Sequence, residues 1–136
     1  MTEVNRDPGS ELPLSSAVLH ILLSLVDEER HGYGIMQEVT ARTEGQVHLA
    51  PGTLYGAIKR LLAKGLIEES GERSDPQTGD ERRHTYRLTE FGQRVLAAEA
   101  ARLAGLVQQV RDKRLLSHLL PNVSTGGALC VMNGRC

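Results

Sequence analysis

The hydrophobic period changes twice between Pro51 and Leu120, and this restricts the fold more than any other feature of the chain. From Pro51 to Lys64 the apolar residues Leu54, Ile58, Leu61 and Leu62 fall on one helical face. Pro51 suits a first helical turn, where its missing N–H costs nothing, and Lys64-Gly65 is a stop signal. From Leu66 the pattern becomes that of a hairpin. A strand is predicted at about Leu66–Gly71, a polar tip at Ser74–Asp80 and a return strand at about Arg83–Leu88. His84, Tyr86 and Leu88 should share one side of that strand, and Arg83, Thr85 and Arg87 the other. Helical spacing then returns at Glu90.

The upstream residues add two more helices. Residues 1–13 are polar, with Pro8, Gly9 and Pro13, and read as a flexible lead-in. Ser15 or Ser16 can cap a helix whose Val18, Leu19, Leu22, Leu23, Leu25 and Val26 predict broad burial. Gly32 and Gly34 predict a turn into a helix from about Tyr33 to Thr43, buried through Ile35, Met36 and Val39 and stopped at Gly45. Val47 and Leu49 alternate with His48, which predicts one short strand.

Thr89 can cap the last helix, expected from Glu90 to about Leu120. Such a helix exceeds roughly 40 Å, more than a domain this small can cover. Its apolar positions therefore predict a partner helix, most simply from a second copy. Val95, Leu96, Leu103, Leu106, Val107 and Val110 are the expected dimerisation residues. Residues 121–136 carry no period and read as a disordered tail.

Aromatic residues are scarce, so the core must be built from Leu, Val, Ile and Ala, which favours helices. The net charge of −1 excludes a polycation that coats nucleic acid everywhere. Any contact with a polyanion must use a local patch. The five histidines are scattered, and Cys130 and Cys136 sit apart from them. No metal-ligand spacing, nucleophile motif or phosphate cradle is present, so neither an enzyme, a metal nor a cofactor is expected. No apolar run is long enough to span a membrane, and a cytoplasmic protein is expected.

The order helix, helix, strand, helix, hairpin, long helix predicts a mainly α fold with a small β-hairpin. Residues 14–88 form a winged helix-turn-helix and residues 89–120 a dimerisation helix. In that architecture the third helix enters the DNA major groove and the wing touches the neighbouring backbone. Tyr55, Lys59 and Arg60 would then meet phosphates and base edges, while Gly56 and Ala57 let the backbone come close. Thr53 either contacts a phosphate or assists the helix start. Lys64 suits a helix C-terminus with or without DNA. Arg82, Arg83 and His84 form a basic cluster in the wing, weakened by Asp80 and Glu81. Tyr33 is a further backbone contact, and His31 in the same turn is read as structural.

Three stretches carry a resemblance: "HGYGI" at 31–35, "PGTLYGAIKRLLAKGLIE" at 51–68 and "RRHTYRLTEFG" at 82–92. In this order and spacing, across about residues 14–120, the chain resembles the PadR family of bacterial transcriptional regulators. The resemblance implies a homodimeric repressor that binds double-stranded DNA at a pseudo-palindromic operator. Its single C-terminal helix is similar to that of the short-form members, some of which take a small hydrophobic effector at the dimer interface. Ala50 departs from the family's polar cap, at a cost of about 1 kcal/mol. The chain has no Trp to stack a ligand. A rival reading is a winged-helix protein-interaction module without specific DNA binding, favoured by Glu68, Glu69, Glu72, Asp75, Asp80 and Glu81 across the wing.

Overall fold

A computed structural model of the chain describes residues 6–74 and 82–115. Helix α1 spans Ser16–Ser24, and Ser15 is its cap, its hydroxyl accepting from Val18 N at 3.2 Å. The helix buries Ile21 and Leu22 but leaves Leu23 exposed, as is Val26 just beyond it, so the buried stripe is narrower than expected. The chain then turns through 25–29. Arg30 pins this turn: its guanidinium donates to Ser24 O at 2.6 Å and pairs with Glu28 at 3.0 Å.

Strand β1, Arg30–His31, follows and leads straight into α2, Gly32–Arg42. His31 caps α2, Nδ1 accepting from Gly34 N at 3.0 Å. Helix α3 spans Pro51–Lys64, has no side-chain cap at Ala50, and stops on Gly65 at φ 77°. Strands β2, Ile67–Ser74, and β3, Arg82–Leu88, form the wing. The three strands make one antiparallel sheet in the order β1-β3-β2.

The third strand is therefore at Arg30–His31, not at Val47–Leu49. Residues 47–49 pair with no strand. Val47 N donates to Thr43 Oγ1 at 3.0 Å, and Leu49 packs into the core. The apolar alternation there records burial under α2 and α3 rather than a ladder. A bulge between Glu69 and Gly71 also breaks the simple alternation predicted for the wing. Thr85 is buried beside Tyr86 instead of sharing an outer face with Arg87. Its hydroxyl is satisfied by Ser70 Oγ at 2.8 Å and Gly71 O at 3.1 Å.

The core gathers Ile21, Leu22, Ile35, Val39, Leu54, Ile58, Leu61 and Leu66 from all three helices and the sheet. Two placements correct the sequence reading. Ala57 is fully buried, because it lies three residues after Leu54 on the same side of α3. Val95 is also fully buried in this core, which leaves it no surface to offer a second copy, and Leu96 packs against the core.

Helix α4 covers Glu90–Asp112, 23 residues or about 34 Å. It turns at Lys113 and Arg114 (φ 64°) rather than running on to Leu120, and residues 116–120 lie outside the described part. Its start is clamped. Thr89 Oγ1 donates to Gly65 O at 2.6 Å and accepts from Gly92 N at 2.9 Å. A Cβ on Gly92 would fall on the carbonyl of Leu66, so no other residue fits without moving the backbone. By proximity the chain forms two compact units, Met1–Glu99 and Ala100–Cys136.

The lead-in is docked from Arg6 onward, against expectation. Pro8–Glu11 forms a 3-10 turn capped by Asp7, and Leu12 and Leu14 pack against the core. The apolar pair at 12 and 14 supplies the anchor that the polar composition concealed. No described helix is long and apolar enough to cross a membrane. The predicted tail at 121–136 lies outside the described residues.

Candidate nucleic-acid interface

The outward face of α3 is built by helical spacing. Gly52, Gly56, Lys59 and Ala63 recur at four, three and four residues, opposite the buried Leu54, Ala57, Ile58 and Leu61. Three of the four carry a hydrogen or a methyl. A backbone this bare can approach a flat or grooved polyanion closely, with Lys59 as the charge at its centre. Lys59 is exposed and makes no ion pair among the described residues.

Tyr55 forms one flank of this face. Its ring lies on Gly32, where a Cβ would stand 2.7 Å from Cζ and 2.8 Å from Cε1. The ring is thus fixed along one edge yet remains 48% exposed. Tyr33, next to Gly32 in sequence, is also exposed. Tyr86 lies behind them in β3 with its phenol pKa raised, first by burial and then by the charges of Glu69 and Tyr55. The "HGYGI" and "PGTLY" stretches are therefore two halves of one contact. The sequence reading took Gly32 only as a turn residue and passed over Gly52, whose signal was its helical spacing from Gly56.

The other flank is Thr53, Arg60 and Lys64, at spacings of seven and four. Thr53 and Arg60 are exposed, and Arg60 has no ion pair among the described residues. Lys64 differs, since its Nζ stands 3.4 Å from Glu11 Oε1.

The wing is less basic than its sequence suggested. His84 Nδ1 lies 3.2 Å from Glu69 Oε1. Arg87 pairs with Glu68 at 2.8 Å and Glu29 at 3.6 Å, and the hydrogen bond that it donates to Glu68 leads the rise in its pKa. Arg82 and Arg83 stand in β3 opposite Ser74 and Arg73. The structure thus brings Thr53, Tyr55, Lys59 and Arg60 onto one helix surface. It gives Lys64 and His84 carboxylate partners instead.

A bare, cation-bearing helix followed by a hairpin wing is the geometry of winged-helix regulators. The family described as "Transcriptional regulator PadR-like family" matches residues 19–98. The chain belongs to this PadR-like family. A protein of Mycobacterium tuberculosis named as a transcriptional regulator is 33% identical over 100 residues, covering 74% of this chain and 87% of its own. An uncharacterized protein of Lysinibacillus sphaericus is 35% identical over 85 residues, covering 62% and 72%. Among solved structures, a PadR family transcription regulator from Clostridium difficile superposes with TM-score 0.61 at 24% identity, covering 72% of this chain and 97% of that one. PadR of Bacillus subtilis, solved in complex with operator DNA, superposes with TM-score 0.52 at 23% identity, covering 62% and 47%. Both likenesses establish the winged-helix fold of this chain.

Proposed function

We propose that this PadR-like regulator is a homodimer that binds a pseudo-palindromic DNA operator, with α3 in the major groove and the β2–β3 wing on the flanking backbone. The observation that carries the reading is the outward row Gly52, Gly56, Lys59 and Ala63, whose central ammonium makes no ion pair among the described residues. Lys59 and Arg60 neutralise phosphates, while Tyr55, held by Gly32, presents its free edge to the groove. Thr53 and Tyr33 add neutral contacts, and Arg82, Arg83 and His84 serve the wing. Leu103, Leu106, Val107 and Val110 of α4 form the seam with the second copy. The solved complex of Bacillus subtilis PadR with operator DNA supports the docking mode. A repressor role in the cytoplasm and release by a small hydrophobic effector rest on the family resemblance.

The rival protein-interaction module draws support from the exposed carboxylates Glu68 and Glu69 in the wing. One experiment separates the two. Wild type and Lys59→Ala are titrated against the DNA upstream of the protein's own gene and against mixed-sequence duplex, across a range of salt. The variant is expected to weaken binding to both DNAs and to reduce the salt slope by about 1, with its melting temperature unchanged. Equal affinity and slope in the two proteins would remove Lys59 from the interface. No DNA binding by wild type even at low salt would favour the interaction module.

A further inference from the structure

The docked N-terminal segment touches α3 at Lys64, a cation on the same flank as Thr53 and Arg60. Glu11 Oε1 stands 3.4 Å from Lys64 Nζ, with the Glu11 side chain only 18% exposed and Lys64 56% exposed. Glu11 is held from both directions along the chain. It closes the turn Pro8–Glu11, whose cap Asp7 accepts from Gly9 N at 3.0 Å. Just before that turn, Arg6 stacks 4.1 Å from the Phe91 ring centre and donates to the carbonyl of Lys64. Just after it, Leu12 and Leu14 pack against the core, and Leu14 N donates to Glu99 at 3.3 Å. These contacts keep the carboxylate beside α3.

Lys64 shares a helical row with Thr53 and Arg60, so a phosphate strand following that flank would meet all three. Arg60 meets it free, but Lys64 meets it already paired. The ammonium has another reason to sit where it does, because a cation is favourable at a helix C-terminus without any carboxylate. Glu11 is therefore surplus to the helix, and it occupies the place a phosphate oxygen would take.

We infer that Glu11 sets the DNA affinity of this protein by masking Lys64, so that the α3 face binds more weakly than its cations allow. The inference rests on α3 being the DNA-binding face. A pair this open to water is weak, so the mask tunes binding rather than abolishing it.

The test uses the full chain with Glu11→Gln, Lys64→Ala and the double variant. Each is titrated by fluorescence anisotropy against a mixed-sequence duplex, between about 50 and 200 mM salt. Glu11→Gln is expected to bind about threefold tighter or more at the low end and to steepen the slope of log affinity on log salt by up to about 0.9 per bound α3. Lys64→Ala should lower the slope by less than a full phosphate contact per α3, and the double variant should match Lys64→Ala. Unchanged affinity and slope in Glu11→Gln would overturn the inference, as would an equal gain in the Lys64→Ala background. Should Glu11→Gln fold poorly, Lys64→Ala alone decides, because a slope lowered by the full ~0.9 per bound α3 would mean that Lys64 meets DNA unmasked. Failure of every variant, wild type included, to bind at low salt would overturn the DNA-binding reading itself.

Discussion

Tyr86 is 7% exposed, and its phenol is harder to ionise than the ordinary value of 10.0, chiefly because burial penalises the phenolate and secondarily because Glu69 is near. The folded state therefore keeps this proton at pH values where the unfolded chain has released it. The resulting stabilisation is complete below about pH 10 and is lost as pH climbs through the raised folded value. Tyr86→Phe keeps the ring and removes the titration. Urea unfolding midpoints of wild type should fall from pH 9 to pH 11 by more than those of Tyr86→Phe, so that wild type loses ground to the variant as pH rises. Parallel curves would show that the alkaline loss comes from the lysines alone. The same residue shows what a strand pattern can disclose. Its inward position was legible from the alternation with His84 and Leu88, but the burial of Thr85 beside it was not, since a bulge at Ser70 leaves no period to read.

At the level of elements, the docking of α2 against α3 depends on one missing side chain. Gly32→Ala would put a methyl into the Tyr55 ring, which must then swing away. The expected cost is about 1–3 kcal/mol. In a Tyr55→Ala background the same change meets empty space and should be nearly neutral, since Ala is the better helix former. Urea unfolding of the four proteins should therefore show non-additivity of at least about 1 kcal/mol. Strict additivity would mean that the ring is not seated on Gly32. The elements that the sequence disclosed are those with a strong period and clear punctuation. The face of α3, its Pro51 start and Gly65 stop, and the Thr89 cap of α4 were all readable. Strand β1 was not, because Arg30–His31 has two residues and no period, and only β3 opposite makes it a strand. Val47–Leu49 had the period without a partner. The masking of Lys64 was equally hidden, because Glu11 lies 53 residues away in the chain and nothing local links the two.

For the whole molecule, the question is what covers the apolar surface that one copy leaves open. In the second unit Leu106 and Val107 are each 43% exposed and Val110 is 37% exposed, at the spacing of a helical seam. Covering the remaining two-fifths of each side chain contributes about 0.6–1.2 kcal/mol, so three per copy, doubled by symmetry, contribute about 4–7 kcal/mol toward holding a dimer. An operator read by two such α3 helices would carry half-sites about one helical turn, roughly 34 Å, apart. Placing charges in the seam tests this directly. Leu106→Glu with Val110→Glu should halve the mass in sedimentation equilibrium. The far-ultraviolet circular dichroism should stay close to wild type, because neither residue lies in the core. The monomer should still bind mixed-sequence duplex through one α3, but it should lose the two-lobed footprint and most of the preference for a palindrome. A variant that remained dimeric would move the seam elsewhere. The exposed pair Leu23, on α1, and Val26, in the turn after it, would then be the surface to change, and the same mass measurement on Leu23→Glu with Val26→Glu would decide it.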